Sequence, residues 1–238
     1  MSVAAAQAAY ASTEGDVDRV VVESWLRGTG YEVLPKRNAP GARGKAAAVQ
    51  TLHALLTQGM TRLVLALDLD EGSEGDLRDF VEKTLRSRCT SDEKTTLRVD
   101  TTDIGLLDGR AALLPVGLPT DARLGSLGVT HHSVEDYLIV ALHDDECLSR
   151  FATAERKNVR VPSGLTAAKD LWNDISNRLR DCRARGFELT SAKSVLQFFC
   201  ALVGFPARAS TLAERLIEVS AGTAAEALFR LPSGFVVP

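Results

Sequence analysis

Leu63-Val64-Leu65-Ala66-Leu67-Asp68-Leu69-Asp70 is the stretch on which the fold reading turns. Five apolar residues in succession make a strand buried on both faces, the kind found in parallel sheets, and the run stops at two acids. Just downstream, Leu77, Phe80, Val81 and Leu85 recur at helical spacing over 76–86. Upstream, Val49, Leu52, Leu55 and Leu56 mark a helix over 46–58, which Gly59 stops. Further out, Arg19-Val20-Val21-Val22 reads as a second buried strand ending in Glu23, and 31–34 as a short third one. Segments 97–99 and 111–116 read as strands and 133–142 as a helix. Strand and helix alternate, the pattern of an α/β fold with a mostly parallel sheet flanked by helices. After about residue 150 the strand signals stop, and 164–182, 190–203 and 210–229 carry helical patterns. The expectation is an α/β domain over 1–145, with 1–18 a loose leader, and a helical C-terminal subdomain over 146–238.

Composition bounds the function. The chain has 238 residues, 45% apolar and 25% charged, which is ordinary for a globular protein large enough to bury a core. Lys and Arg total 28 against 31 Asp and Glu, a net charge of −3. That excludes a basic surface of the histone type, while a local basic strip can still neutralise phosphates. Cys89, Cys147, Cys182 and Cys200 form no CxxC pair, which argues against a zinc knuckle or a thioredoxin-like motif. The start lacks the cationic and apolar segments of an export signal, and no apolar run is long enough to span a bilayer. The expected location is the cytoplasm, with reduced thiols and no membrane contact.

Ligands of open parallel sheets bind beyond the carboxyl ends of the strands. Glu23, Asp68 and Asp70 are expected there. In extended chain, residues i and i+2 point the same way, so Asp68 and Asp70 would aim two carboxylates at one point. Mg²⁺ or Mn²⁺ is the natural partner of such oxygens. A solvated turn ahead of Gly72, closed by an Asx-type hydrogen bond, is the other reading of the same pair.

With Glu23 ending one strand and Asp68-Leu69-Asp70 ending a later one, residues 18–120 resemble the Toprim domain, the metal-binding fold of topoisomerases, bacterial primases and OLD-family nucleases. Small stand-alone Toprim-like proteins share it. The chain departs from the pattern at Ser24, where a Gly usually follows the first Glu, and at Gly72, which comes one residue early. The resemblance implies a further acid at the start of a helix after the sheet, for which Glu135 is the match and Asp136 the second. It also implies a lysine from the helical region, matched by Lys193. Helix capping from Ser133 and dipole complementation are the competing account of Glu135 and Asp136. His131 and His132 read either as ligands or proton carriers or as an exposed pair. Glu71 and Glu74 complement a helix start or hold a second ion through water.

Gly44-Lys45 before a helix suggests a P-loop, but Ala39 replaces its first Gly and Ala46 its hydroxyl residue, so nucleotide hydrolysis of that kind is rejected. Lys36, Arg37, Arg43 and Lys45 nonetheless place four cations in one loop, suited to a nucleic-acid backbone or to plain solvent exposure. Arg178, Arg180, Arg183 and Arg185 form a second basic cluster. The reading is a Mg/Mn-dependent phosphodiester-cleaving enzyme, a nuclease, with nucleic acid as its partner. Its alternatives are a non-catalytic module that binds metal or a protein partner in a defence or repair complex, and a small-molecule phosphohydrolase. A homo-oligomer is left open.

Overall fold

The computed structural model describes residues 8–34, 44–88, 106–107, 110–155, 167–205 and 208–238. β3 (Leu63–Asp68) is the strand that its apolar run predicts. Leu63, Leu65 and Leu67 pack with Val49, Leu52 and Leu56 of α2 (Lys45–Thr57) and with Leu77, Val81 and Leu85 of α3 (Glu74–Arg88). Val64 and Ala66, alternating with them along the strand, are equally buried. A strand covered on both faces needs no polar alternation, which is why the run is unbroken.

Among the described residues five strands form the sheet, in the order β2-β1-β3-β5-β4. β1 (Ala9–Ser12) is parallel both to β2 (Tyr31–Val33), with Ala9 opposite Tyr31, and to β3, with Tyr10 opposite Leu63. β4 (Leu106–Leu107) is antiparallel to β5 (Ala111–Val116) and forms one edge. The chain leaves β1 through α1 (Asp16–Trp25) to reach β2 on one side, then crosses to place β3 on the other. The winding therefore reverses between β1 and β3, and the carboxyl ends of those two strands frame the crevice where such sheets bind ligands.

Two expectations are overturned here. Residues 19–22 are not a strand but the middle of α1. Val21, Val22 and Trp25 are buried, and with Asp18 they recur at i, i+3, i+4 and i+7, so the stripe is helical although valine is a poor helix former. The loose leader is no leader beyond residue 8, because Ala9-Tyr10-Ala11-Ser12 is an interior strand of the sheet, between β2 and β3. Its alanines carry little strand preference of their own, and pairing on both sides decides its conformation. The expected strand at 97–99 lies outside the described residues.

The chain divides into two compact units, Met1–Pro115 with Leu231–Pro238, and Val116–Arg230, ahead of the expected boundary at 145/146. The first unit is the sheet with its helices. In it the Pro238 carbonyl accepts hydrogen bonds from Tyr31 Oη at 2.7 Å and Arg62 Nε at 3.2 Å. The second unit is helical: α4 (Ala122–Ser126), α5 (Glu135–Ala141), α6 (Asp145–Ala154), α7 (Ala168–Ala184), α8 (Ala192–Val203), α9 (Ala209–Ser220) and a 3-10 turn (Ala224–Phe229). α5 is buried along its whole length and packs on α8, α9 and the 3-10 turn, which draws it into the helical unit. Trp172 stacks between His143 and Phe199 and donates to the Leu142 carbonyl at 2.9 Å. Ser191 caps α8 and Gly204, at φ 73°, ends it in the left-handed conformation. Among the described residues no helix is long and apolar enough to cross a membrane.

Candidate functional site

The site is built where β1 and β3 end. β1 runs out into Thr13-Glu14-Gly15, and α1 begins one residue later. Glu14 Oε1 accepts the backbone N–H of Asp68 at 2.9 Å, which joins the carboxyl ends of the two strands through a side chain. Asp68 is the last residue of β3 and half-buried. Leu69 is buried, and Asp70 then turns into the left-handed region with φ 54°. Asp70 thereby leaves the extended geometry that an i, i+2 argument needs, and its carboxylate pairs with Lys45 Nζ at 2.7 Å.

One glycine allows a close approach here, and a second gives the chain its turn into α2. Gly15 stands so near Asp18 that a Cβ there would meet Asp18 Oδ2 at 2.9 Å. Gly44, at φ 56°, precedes α2, and a Cβ on it would lie 3.7 Å from Glu14 Oε2. The start of α2, with its unpaired amides and positive dipole end, is thus set beside Glu14.

Three acids, Glu14, Asp18 and Asp70, and one ammonium, Lys45, make up this group, which Asp68 joins through its backbone amide. Burial pushes the Glu14 carboxyl up to about 7. The negative charges of Asp18 and Asp70 add to the rise, while the Asp68 amide and the Lys45 ammonium oppose it. The donors are all hard oxygens and acid outnumbers base, so their chemistry fits Mg²⁺ or Mn²⁺. Among the described residues no three His, Cys, Asp or Glu side chains stand close enough to hold an ion as they are.

The expected site residues are distributed differently from the sequence reading. Asp68 and Asp70 are at the end of β3, as expected. Glu23 is on α1, exposed, and pairs with Arg19 one turn away at 3.1 Å, so it does not end a strand. The strand-ending glutamate is Glu14, and Gly15 follows it where Ser24 broke the expected pattern. A Glu-Gly pair at the close of a short weak strand was the available signal; the valine run masked it. Asp18 was missed for the same reason.

Glu135 and Lys193 belong to the second unit. Glu135 is buried and accepts the Ser133 hydroxyl at 2.7 Å, and Lys193 is exposed in the first turn of α8. Asp136 is fully buried and does not cap α5, whose cap residue is Val134. Its Oδ2 accepts the Leu118 amide at 2.8 Å and lies 2.8 Å from His132 Nδ1. Burial raises the Asp136 carboxyl against the lowering effect of both partners. His132 is buried with it and is therefore not part of an exposed pair. Lys36, Arg37 and Arg43 lie outside the described residues. The second basic cluster serves the helix itself: Arg178 pairs with Asp174, Arg180 binds Asn177, and Arg183 holds the Leu127 and Leu189 carbonyls.

No family model, no curated protein and no solved structure matches this chain. The functional reading rests on the site alone.

Proposed function

We propose that the chain is a Mg²⁺- or Mn²⁺-dependent enzyme that cleaves phosphodiesters, a nuclease working in the cytoplasm. The observation that supports this most is that Glu14, Asp68 and Asp70 all follow or end the adjacent strands β1 and β3, where the winding of a parallel sheet reverses. The Toprim resemblance read over 18–120 belongs to this reading, with Glu14-Gly15 proposed in place of Glu23-Ser24.

Asp68 and Asp70 are the residues to hold the ion. When bound, it neutralises a phosphoryl oxygen and makes water more acidic. Glu14 takes the role first given to Glu23. With its carboxyl near 7 it can hold or release a proton at physiological pH, as a general acid or base must. Lys45 brings positive charge to an anionic substrate.

The test is cleavage of plasmid, single-stranded DNA and RNA in Mg²⁺ or Mn²⁺. Metal-dependent cutting is expected, lowered at least about 100-fold in Glu14→Gln and Asp68→Asn and by less than about twofold in Glu23→Gln. Loss of cutting in Glu23→Gln with full activity in Glu14→Gln would return the site to the valine helix. Mn²⁺ binding without cutting of any substrate would leave a non-catalytic module.

A further inference from the structure

We infer that Leu231–Pro238 is a releasable strap that locks β1 into the sheet from the amino end of the strands. Tyr31 opens β2 opposite Ala9, the first residue of β1. On the other side of β1, Tyr10 lies opposite Leu63 and donates its amide to the Arg62 carbonyl at 3.0 Å. One residue back in that register, Arg62 is opposite Ala9. Tyr31, Ala9 and Arg62 therefore stand in one row across three strands, with their side chains on the same face. Ala9 is buried and carries only a methyl, so its two neighbours can meet: the Arg62 guanidinium lies 5.3 Å from the centre of the Tyr31 ring. The Pro238 carbonyl accepts from both, Tyr31 Oη at 2.7 Å and Arg62 Nε at 3.2 Å, and so bridges the two strands that flank β1.

The strap is held lightly. None of residues 231–238 is buried, and Val236 is 78% exposed. Within the strap the Phe235 amide donates to the Pro232 carbonyl at 3.1 Å, which folds it on itself rather than onto the sheet. With so little apolar surface covered, the two hydrogen bonds at Pro238 are its anchor. A segment anchored in this way opens locally, well before the rest of the fold. β1 needs the anchor, because Ala9-Tyr10-Ala11-Ser12 has little strand preference and keeps its place by pairing alone. What loosens β1 reaches Glu14, two residues beyond its end, which holds the Asp68 amide at 2.9 Å. β1, docked or frayed, is thus the two-state element through which the strap acts on the carboxyl ends of the strands. This coupling needs no ion and is independent of the metal reading.

The experiment is native-state amide hydrogen exchange, followed by NMR on the full chain. It compares wild type, Tyr31→Phe, the double variant Tyr31→Phe/Arg62→Met and, as a control on the exposed tail, Val236→Ser. The reporters are the amides of Tyr10, of Leu34, which donates to the Ala11 carbonyl, and of Asp68, which donates to Glu14. In the double variant they are expected to exchange faster by about tenfold beyond any rise at Leu77, Val81 and Leu85 of α3. Tyr31→Phe keeps the ring beside the guanidinium and loses only the hydroxyl, and should show the same pattern at about threefold. It carries the comparison alone should the double variant not fold. Val236→Ser should match wild type within about twofold. Heteronuclear NOE values over 233–238 should fall in the double variant as the tail comes free. A rise shared equally by α3, no rise at the three reporters, or a tail that stays ordered in the double variant overturns the strap.

Discussion

Glu14 carries the clearest single-residue consequence. Its carboxyl titrates near 7 in the folded chain against 4.5 for an ordinary glutamate, chiefly because burial disfavours the charge. Between those values the folded chain holds a proton that the unfolded chain has released. The contribution of this group is therefore fully present below pH 4.5, declines as the pH rises, and is lost above about 7. Urea denaturation at pH 4.5 and pH 8 should show wild type losing about 1–3 kcal/mol more than Glu14→Gln over that interval. Saturating Mg²⁺ at pH 8 should restore more stability to wild type than to the variant. A pH profile identical in both proteins would contradict the burial of this carboxyl. Asp68 and Asp70 could be read directly because a strong strand ends in them. Glu14 could not, because the short segment Ala9-Tyr10-Ala11-Ser12 before it carries little strand preference.

Elements tell the same story in reverse. The valines of α1 have the composition of a strand, and only the spacing of Asp18, Val21, Val22 and Trp25 discloses a helix. β-branching is a local preference of tenths of a kcal/mol, which burial of a helical stripe overrides. α2, α3 and α8 were legible because periodicity and end signals agree, as at Ser191 and Gly204. The capping expectation at α5 failed because Asp136 faces inward. It fixes the Leu118 backbone and His132 from inside the helical unit. Asp136→Ala is expected to cost about 2–4 kcal/mol in chemical denaturation, since it strands a buried amide and an imidazole. Asp136→Asn, which keeps an acceptor for Leu118, should cost distinctly less. A loss below about 0.5 kcal/mol in the alanine variant would show that the pair is dispensable.

At the scale of the whole molecule, the α/β character and the helical second part were both readable from where strand signals stop. The candidate site was readable only in half, because its other half depends on which segment the sheet selects to lie between β2 and β3. The return of Leu231–Pro238 to the first unit was not readable at all, since it rests on a carbonyl bound by Tyr31 and Arg62 across the length of the chain. Tyr31→Phe removes one of those bonds and should lower stability by about 1 kcal/mol, measured as a shift in the denaturation midpoint at unchanged slope. An unshifted midpoint would mean that water replaces the hydroxyl without loss.

The placement of β1 also decides how the protein tolerates trimming. A chain shortened to begin at Thr13 would retain every acid of the candidate site in its sequence. It would nevertheless uncover one side of β2 and one side of β3, two ladders of unsatisfied amides and carbonyls. Such edges invite strands from other molecules, so the same short alanine-bearing segment that seats Glu14 protects the protein from aggregation.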